Sequence, residues 1–405
     1  MDLEKTLRAL REKEEKTMAQ LKDFQCATVE RIDKLFRNGQ NRILVADEVG
    51  LGKTLIARGA IAKTAIIHYE KNNDIFKIVY ICSNQVIARQ NIRKLDVFNT
   101  SNESHENSSD TRLSMQHLKI AQQEDHAQEH NSYAQLIPLT PSTSFSMTNG
   151  RGTKEERALM YAILKRIPVL DSYKEKISQF LSQDVNGWQG CVEKYDERVT
   201  KLYNKGIGYP DSVIKKIEES HSKKIDVLIN HVEKSDNGVS DSDVLQQLRQ
   251  MFAEISMKQL QPDLVIMDEF QRFRNLINTE PQKTELNMLA NKFFDPDNFG
   301  TVGFKVLLLS ATPYKLYSTM DEIADGNTPD EYYKEFLQVV YFLMNNNTVK
   351  KDNFSKVWSD YSDALREVNQ DNVTVLDLKK GHVPHASLKN SPKTGKTPSI
   401  RFWEA

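Results

Sequence analysis

The sequence predicts an α/β fold in which helices cover both faces of a parallel sheet. Five short apolar runs have the length and composition of buried parallel strands; they lie at Ile43–Ala46, Ile78–Cys82, Leu136–Leu139, Leu264–Met267 and Val306–Leu309. Helical patterns separate these runs, and strands that alternate with helices are typical of a parallel sheet. Residues 153–260 are mostly helical in pattern and highly charged, which predicts a large helical insertion into this fold.

Helices are also predicted at both ends of this sheet region. Apolar side chains recur at three- and four-residue intervals in residues 2–21, in residues 25–36, and twice within residues 330–369. The expected segments are, in order, N-terminal helices (1–40), the first part of the sheet domain (41–152, with a mobile loop at 99–132 that carries a short helix near 115–122), the helical insertion (153–260), the second part of the sheet domain (261–329), a helical spacer (330–370) and an irregular tail (371–405).

The composition is typical of a globular protein with a hydrophobic core. Of its 405 residues 39% are hydrophobic and 27% are charged, and no apolar run approaches the length that spans a bilayer. The three cysteines are widely spaced and the N-terminus has no apolar secretory segment, so we expect a cytoplasmic protein without disulfides, a zinc site or a membrane partner. The net charge of −1 does not by itself indicate a nucleic-acid-binding protein.

The strongest pattern is a strand, a glycine turn and a helix that begins with Lys-Thr. It occupies residues 45–54, VADEVGLGKT. Gly50 and Gly52 let the backbone around Leu51 form a concave set of N–H donors for phosphate oxygens. Lys53 would reach the β- and γ-phosphates of ATP, and the Thr54 hydroxyl would bind Mg²⁺. Asp47 stands where the general phosphate-loop pattern has glycine; a glycine turn before an ordinary helix is the alternative.

Two further strands end in residues that suit the same chemistry. The run at 264–267 is followed by Asp268, which would hold the Mg²⁺ shell, and by Glu269, which could orient and deprotonate an attacking water. The run at 306–309 is followed by Ser310 and Thr312 in the string Ser-Ala-Thr-Pro. Each string occurs by chance as an ordinary strand end, so their value lies in their order after the glycine turn.

Together, ADEVGLGKT, VIMDEFQ and LLLSATP resemble motifs I, II and III of superfamily 2 helicases. The Asp-Glu-x-Gly-Leu-Gly-Lys-Thr form is most similar to the Snf2-like branch of DNA-dependent ATPases, over residues 20–320 with interruptions. This resemblance implies a RecA-like lobe with a phosphate-binding P-loop, which holds Mg²⁺ and ATP at a cleft edge. It further implies that Lys53, Asp268 and Glu269 are catalytic and that nucleic acid crosses the strand ends.

The resemblance also assigns roles outside the three motifs. Gln25 matches the Q motif, which reads the adenine edge. Ser83, Asn84 and Gln85, with Gln90 and Asn91 on the next helix, resemble motif Ia, and Thr140, Ser142 and Thr143 resemble motif Ib; both motifs contact the nucleic-acid backbone, although an ordinary loop is the alternative for each. Gln271 replaces the histidine of many relatives, and it could link the ATP site to the nucleic acid through Ser310 and Thr312.

The expected function is that of an ATP-binding lobe in a nucleic-acid-dependent ATPase, a helicase or a translocase on double-stranded DNA. The sequence contains no second phosphate loop and no Gln-x-x-Gly-Arg-x-x-Arg segment that would supply an arginine finger. We therefore expect a truncated enzyme that needs a second RecA-like lobe, in cis or in trans, for full turnover. The alternatives are an ATP-gated nucleic-acid-binding or regulatory subunit without sustained hydrolysis and, more distantly, a P-loop ATPase of another family.

Overall fold

A five-stranded, fully parallel sheet forms the centre of the protein in the computed structural model. The structure describes residues 3–47, 50–72, 74–98, 112–130, 132–144, 151–233, 239–270, 272, 276, 293–294, 304–310, 331–345 and 347–357. The strands are β1 (Arg42–Ala46), β2 (Phe76–Ile81), β3 (Ala134–Leu139), β4 (Leu264–Asp268) and β5 (Lys305–Ser310), and they lie side by side in the order β1-β5-β4-β2-β3. The predicted α/β fold with a parallel sheet is confirmed.

Both faces of the sheet are covered because successive side chains of each strand point to opposite faces. One face carries Val45, Ile266 and Leu307, which belong to a core shared with four helices. These helices are α1 (Leu3–Met18), α2 (Asp23–Arg37), α3 (Lys53–Tyr69) and α4 (Gln85–Leu95). On the other face Leu44 and Val265 belong to a second core. The strands consequently expose almost no apolar surface, as the continuous apolar runs predict.

The segment before β3 differs from its prediction. A loop with a short helix near residues 115–122 was expected there, whereas the structure has a 3₁₀ turn at Leu113–Met115 followed by α5 (Gln116–His130), a helix of 15 residues. Leu113, Leu118 and Ile120 are buried in the two cores that α5 touches. Polar residues on the outer side of α5 hide this apolar pattern in the composition. The expectation of a mobile loop is therefore wrong for residues 112–130, and residues 99–111 and 131 lie outside the described part.

All described residues between 151 and 260 form helices and their connections. The helices are, after the short α6 (Pro141–Ser144), α7 (Lys154–Leu164), a 3₁₀ segment (Pro168–Tyr173), α8 (Lys174–Ser182), α9 (Trp188–Asn204), α10 (Asp211–Glu233) and α11 (Asp241–Leu260). They enclose a third core, to which Leu118 of α5 also belongs; α11 contributes Phe252 to it and Met257 to the core under the sheet. The assignment of 153–260 as an insertion domain remains a prediction about boundaries.

A buried ion pair fixes α7 against α11. Glu156 and Arg249 are 1% and 0% exposed, and the guanidinium Nε lies 3.0 Å from the carboxylate Oε1. The hydroxyl of Ser114 also donates to Glu156, so the segment before α5 joins the same contact. A buried charge is tolerated only when it is paired and hydrogen-bonded, and both conditions are met here.

The helix that follows the sheet packs beneath it. α12 (Glu331–Leu343) places Val339 and Phe342 in the same core as Leu44, next to β1, where the Arg42 guanidinium donates to the Phe342 carbonyl. Residues 348–357 are helical as well. Most of the second helix expected in the spacer, and the whole tail at 371–405, lie outside the described residues. Within the described part no helix combines the length and apolarity needed to cross a membrane.

His68 ties the end of α3 to the edge of the sheet where β2 and β4 begin. Its Nδ1 lies 3.2 Å from Asp263 Oδ1 and its Nε2 lies 3.0 Å from Asp74 Oδ1, with the imidazole 4% exposed. Asp263 also accepts a hydrogen bond of 2.8 Å from the Lys77 N–H at the start of β2. Burial of His68 opposes its charged form, but its hydrogen bonds with Asp263 and Asp74 outweigh burial and raise its pKa above the usual 6.5.

This arrangement makes part of the stability depend on pH. Because the folded-state pKa of His68 is raised, its ion pairs contribute fully below pH 6.5, and their contribution is lost as pH rises through the raised value. We expect His68→Gln to lower the thermal midpoint most at acidic pH and progressively less above it. Thermal unfolding of both proteins in a pH series measures this difference.

A matched control uses His117, which is fully buried. Its pKa is lowered by burial to about 3, so it is neutral throughout this range. Because His117 stays neutral in the folded state but is protonated below pH 6.5 in the unfolded state, its burial costs the wild type stability as the pH falls. His117→Gln should therefore lower the midpoint least at acidic pH, the opposite trend to His68→Gln. A difference for His68→Gln that does not change with pH, or that follows the trend of His117→Gln, would contradict the assignment of a charged His68.

Candidate functional site

The ends of β1, β5 and β4 bring the predicted site residues to one edge of the sheet. Ala46 on β1 is paired with Ser310 on β5, and Leu309 on β5 is paired with Asp268 on β4. The N–H of Asp47 continues this register with a hydrogen bond of 3.0 Å to the Ser310 carbonyl. Neighbouring strands are about 4.8 Å apart, so the ends of β1 and β4 lie roughly 10 Å from each other.

A glycine loop, residues 47–52, leads from β1 into α3. Gly50 and Gly52 have φ of +89° and +80°, a left-handed conformation that side chains with a Cβ rarely adopt. Gly52 is the residue immediately before α3, so the first N–H groups of the helix and the positive end of its dipole face this loop. N–H groups in this position are suited to binding phosphate oxygens. Residues 48 and 49 lie outside the described part.

Lys53 and Thr54 occupy the first turn of α3. Lys53 is 9% exposed, and its ammonium lies 3.3 Å from the Asp47 carbonyl at the base of the loop. Its charge also acts on Asp268, whose ionised form it favours. Thr54 is half-buried beside it. The structure therefore brings Lys53 close to Asp268, as the order of the motifs predicts, with Thr54 on the same helical turn.

Gln25 of α2 holds the glycine loop in place. It is 3% exposed, its Nε2 donates a hydrogen bond of 2.9 Å to the Leu51 carbonyl, and its Oε1 accepts one of 3.0 Å from the Lys22 N–H. A Cβ on Gly52 would lie only 2.5 Å from the same Nε2. This contact with the loop was not expected from the sequence. The adenine-reading role of Gln25 remains a prediction, for which the second N–H of the amide would be the donor.

Asp268 lies in a more enclosed environment than the sequence suggests. It is 9% exposed, and its Oδ2 accepts a hydrogen bond of 2.6 Å from the Tyr80 hydroxyl. Burial raises the pKa of Asp268; the Tyr80 hydrogen bond acts against burial, the charge of Glu269 adds to it and that of Lys53 opposes it, and the pKa remains raised overall. Sequence reasoning missed Tyr80. Its signal is a tyrosine in the middle of a buried strand, whose hydroxyl must find a partner.

Asn91 is the second residue that contacts Asp268. From α4 its Nδ2 lies 2.8 Å from the Tyr80 hydroxyl oxygen and 3.3 Å from Asp268 Oδ2. The resemblance to motif Ia suggested that Asn91 belongs to the surface that contacts nucleic acid. The structure instead turns its amide inward, because Asn91 lies on the same side of α4 as the buried Ala88 and Leu95.

Glu269 has a left-handed backbone with φ of 53°. For a residue with a side chain this conformation costs about 1–2 kcal/mol, and strained positions of this kind are concentrated at functional sites. The side chain is half-buried, and the carbonyl accepts a hydrogen bond of 3.0 Å from the Arg272 N–H in the turn that follows. The role of Glu269 in orienting water remains a prediction.

The predicted nucleic-acid residues differ in exposure. Asn84 is exposed and caps α4, its Oδ1 accepting a hydrogen bond of 2.7 Å from the Val86 N–H, and Ser83 and Gln85 flank it in half-buried positions. Thr140 is only 3% exposed, and its N–H donates to the Ser144 hydroxyl, so it lies inside the turn that begins α6.

The remaining predicted residues are only partly described. The side chains of Ser142 and Thr143 in α6, and the whole of Gln271 and Thr312, lie outside the described part of the chain. Ser310 is fully buried. Its carbonyl contacts the glycine loop at Asp47, while the proposed coupling through its hydroxyl remains a prediction.

A glycine loop and an acidic strand end, together at the carboxyl edge of a parallel sheet in this strand order, are consistent with the nucleotide-binding lobe of a RecA-like ATPase. Residues 18–137 match the family described as Type III restriction enzyme, res subunit. This segment runs from the end of α1 to β3 and includes Gln25, the glycine loop and Asn84. Over these residues the chain is similar to the helicase-type ATP-binding domain of superfamily 2.

The match covers less than half of the chain, and it supports ATP as the nucleotide. Searches of curated proteins and of solved structures found no significant match.

The two loop glycines provide a test of the contact with Gln25. Gly52→Ala combines left-handed strain of about 1–2 kcal/mol with a Cβ placed against Gln25, whereas Gly50→Ala carries the strain alone because nothing lies within 4 Å of its Cβ position. We expect Gly52→Ala to lower the thermal midpoint, and to weaken ATP binding, more than Gly50→Ala does.

The double variant Gln25→Ala/Gly52→Ala separates steric from backbone effects. In the wild-type background, Gln25→Ala should lower the thermal stability. In the Gly52→Ala background the same change should lower it less, or raise it, because the clash with the Cβ is removed. Equal thermal midpoints for the two single glycine variants would show that Gln25 does not hold the loop.

Proposed function

We propose that this chain supplies the ATP-binding lobe of a nucleic-acid-dependent ATPase of superfamily 2 helicase type. The observation that carries the proposal is the position of Lys53 and Asp268, which lie at the same edge of the sheet with one strand between β1 and β4. The match of residues 18–137 to a restriction-enzyme res subunit supports the same class.

Each residue at this edge has a role that its chemistry supports. The N–H groups of the glycine loop and the first turn of α3 bind phosphate oxygens, and the Lys53 ammonium neutralises their charge. The Thr54 hydroxyl and the Asp268 carboxylate would hold Mg²⁺, which when bound would offset negative charge on the phosphates. Glu269 orients the attacking water and accepts its proton.

The nucleic acid binds, in this proposal, across the strand ends beside the ATP site. Asn84 at the exposed start of α4 is the best-placed candidate, with Ser83 and Gln85 next to it. Amide and hydroxyl groups of this kind contact the backbone and position a strand without reading its sequence. We further propose double-stranded DNA as the partner and translocation of the Snf2-like type as the activity, with Gln271, Ser310 and Thr312 linking the two sites.

Sustained turnover requires a second RecA-like lobe, in cis or in trans. In superfamily 2 motors that lobe contributes an arginine finger, which is worth about 10³–10⁵ in rate. The described residues form one sheet with one glycine loop. The second candidate function is an ATP-gated nucleic-acid-binding or regulatory subunit that binds ATP at this site without sustained hydrolysis.

Lys53→Ala tests nucleotide binding, which both functions share. Loss of a buried charged contact to phosphate should weaken ATP binding by about tenfold or more. Lys63→Ala is the matched control, since Lys63 lies on the same helix but pairs with Glu14 and Glu30. Equilibrium titration with ATP and Mg²⁺ measures both variants. If wild type does not bind ATP, or if both variants bind like wild type, the proposal is wrong.

Glu269→Gln separates the enzyme from the binding subunit. It keeps the size of the side chain and removes the base, so in an ATPase it should lower turnover by about 10²-fold or more while ATP stays bound. Steady-state hydrolysis is measured with and without duplex DNA, with Glu70→Gln at the exposed pair with Arg37 as control. Wild-type turnover that is absent under all conditions, together with unchanged ATP release in Glu269→Gln, would favour the binding subunit.

A further inference from the structure

The helix α4 has one side exposed to solvent and one side packed against the sheet. Its outer side exposes Val86 and Ile87, which are 62% and 40% exposed, and the basic side chains of Arg89, Arg93 and Lys94. Its inner side packs on the sheet through residues such as Ala88 and Leu95. A partner that binds the exposed start of α4 therefore contacts a helix whose other side contacts β2.

The inner contact that matters is a set of three hydrogen bonds, which we call the carboxylate clamp and which consists of Tyr80, Asn91 and Asp268. Tyr80 donates to Asp268 Oδ2 at 2.6 Å, and Asn91 Nδ2 donates to the Tyr80 hydroxyl at 2.8 Å and to Asp268 Oδ2 at 3.3 Å. An amide nitrogen has two N–H groups and a phenol both donates and accepts, so the three bonds can exist together.

Two members of the clamp lie on the sheet and the third lies on α4. Tyr80 is on β2 and Asp268 on the adjacent β4, so both are fixed by the sheet. Asn91 is on α4, which is held to the sheet by side-chain packing and not by backbone pairing. Its bond to Asp268 is also longer than the usual 2.7–3.2 Å for N–H···O. A small displacement of α4 therefore changes the hydrogen bond between Asn91 and Asp268 before it changes the one between Tyr80 and Asp268.

We propose that Tyr80 and Asn91 are positioning residues that couple nucleic-acid binding at α4 to the orientation of the Asp268 carboxylate. The inference rests on the proposed function, because it takes Asp268 as the Mg²⁺-holding group and the start of α4 as part of the nucleic-acid surface. Neither Tyr80 nor Asn91 contacts the nucleotide in this scheme. Asn91 moves with α4, and the clamp turns that movement into a change at the carboxylate.

Coupling of this kind is reciprocal. If nucleic acid improves the site for Mg²⁺ and ATP by some factor, Mg²⁺ and ATP must improve nucleic-acid binding by the same factor. The factor can be measured from binding alone, so the inference can be tested whether or not the chain sustains hydrolysis.

The test compares the affinity for a short labelled DNA duplex with and without a saturating, non-hydrolysable ATP analogue and Mg²⁺. For wild type we expect the ratio of the two affinities to be about fivefold or more, the lower end of typical coupling between sites. Asn91→Leu removes the amide at similar size. It should bring the ratio to within about twofold of unity while DNA affinity without nucleotide stays within about twofold of wild type.

Tyr80→Phe removes the second hydrogen bond without changing the packing. We expect it to reduce the ratio as well and to raise the Mg²⁺ concentration needed for analogue binding. Because both residues act through one carboxylate, the double variant should lose no more coupling than the more severe single variant. If Asn91→Leu does not fold, Tyr80→Phe provides the same measurement.

Two controls exclude a merely structural effect. Tyr69, like Tyr80, is 1% exposed; Tyr69→Phe removes a hydroxyl that donates to the Tyr133 carbonyl at 2.8 Å, away from Asp268. Ile163→Val weakens the packing of α7 in the helical core, away from the clamp. Both should lower thermal stability modestly and leave the affinity ratio unchanged.

The outcomes separate this inference from the proposed function. A wild-type protein that does not bind the analogue contradicts the proposed function itself. Wild type that binds the analogue but no duplex, or that binds both with a ratio near unity, overturns the coupling and leaves ATP binding in place. Full coupling in both Asn91→Leu and Tyr80→Phe overturns the clamp alone.

Discussion

Parallel strands end at a common edge, and in this sheet the register of β1, β5 and β4 brings chemically different groups to that edge. The glycine loop follows β1, the Ser310 carbonyl ends β5 and contacts the loop, and Asp268 ends β4. No long side chain is needed to bridge them, because the strand spacing already sets their separation. The rest of the site, including Gln25 and the clamp, adjusts groups whose positions the sheet determines.

The sequence predicts the elements of this sheet well and their contacts less well. All five apolar runs are strands, because continuous burial on two faces leaves a continuous apolar signature. The nearness of Lys53 and Asp268 follows from the rule that parallel strand ends share an edge. The bonds of Gln25 to Leu51 and of Asn91 to Asp268 join residues far apart in the chain, and neither side chain has a local pattern that names its partner.

The sequence also misleads where composition and burial disagree. α5 is rich in Gln, Glu and His, so its few apolar residues give a weak signal even though they are buried in two cores. Thr140 follows a strand and resembles a surface hydroxyl, but the turn into α6 encloses it. Both differences arise because tertiary packing selects one side of a segment, which the average polarity of that segment does not reveal.

The ion pair between α7 and α11 limits how this part of the chain can vary over evolution. Changing Glu156 alone would remove the ion pair of a fully buried Arg249, and changing Arg249 alone would leave Glu156 with the longer contact of 3.7 Å to Arg112; breaking a buried pair in this way costs about 3–5 kcal/mol. Replacing both with apolar residues of similar volume can be nearly neutral. Relatives that keep these two helices in the same arrangement should therefore differ at the two positions together, and a covarying pair there would mark which of them share this packing.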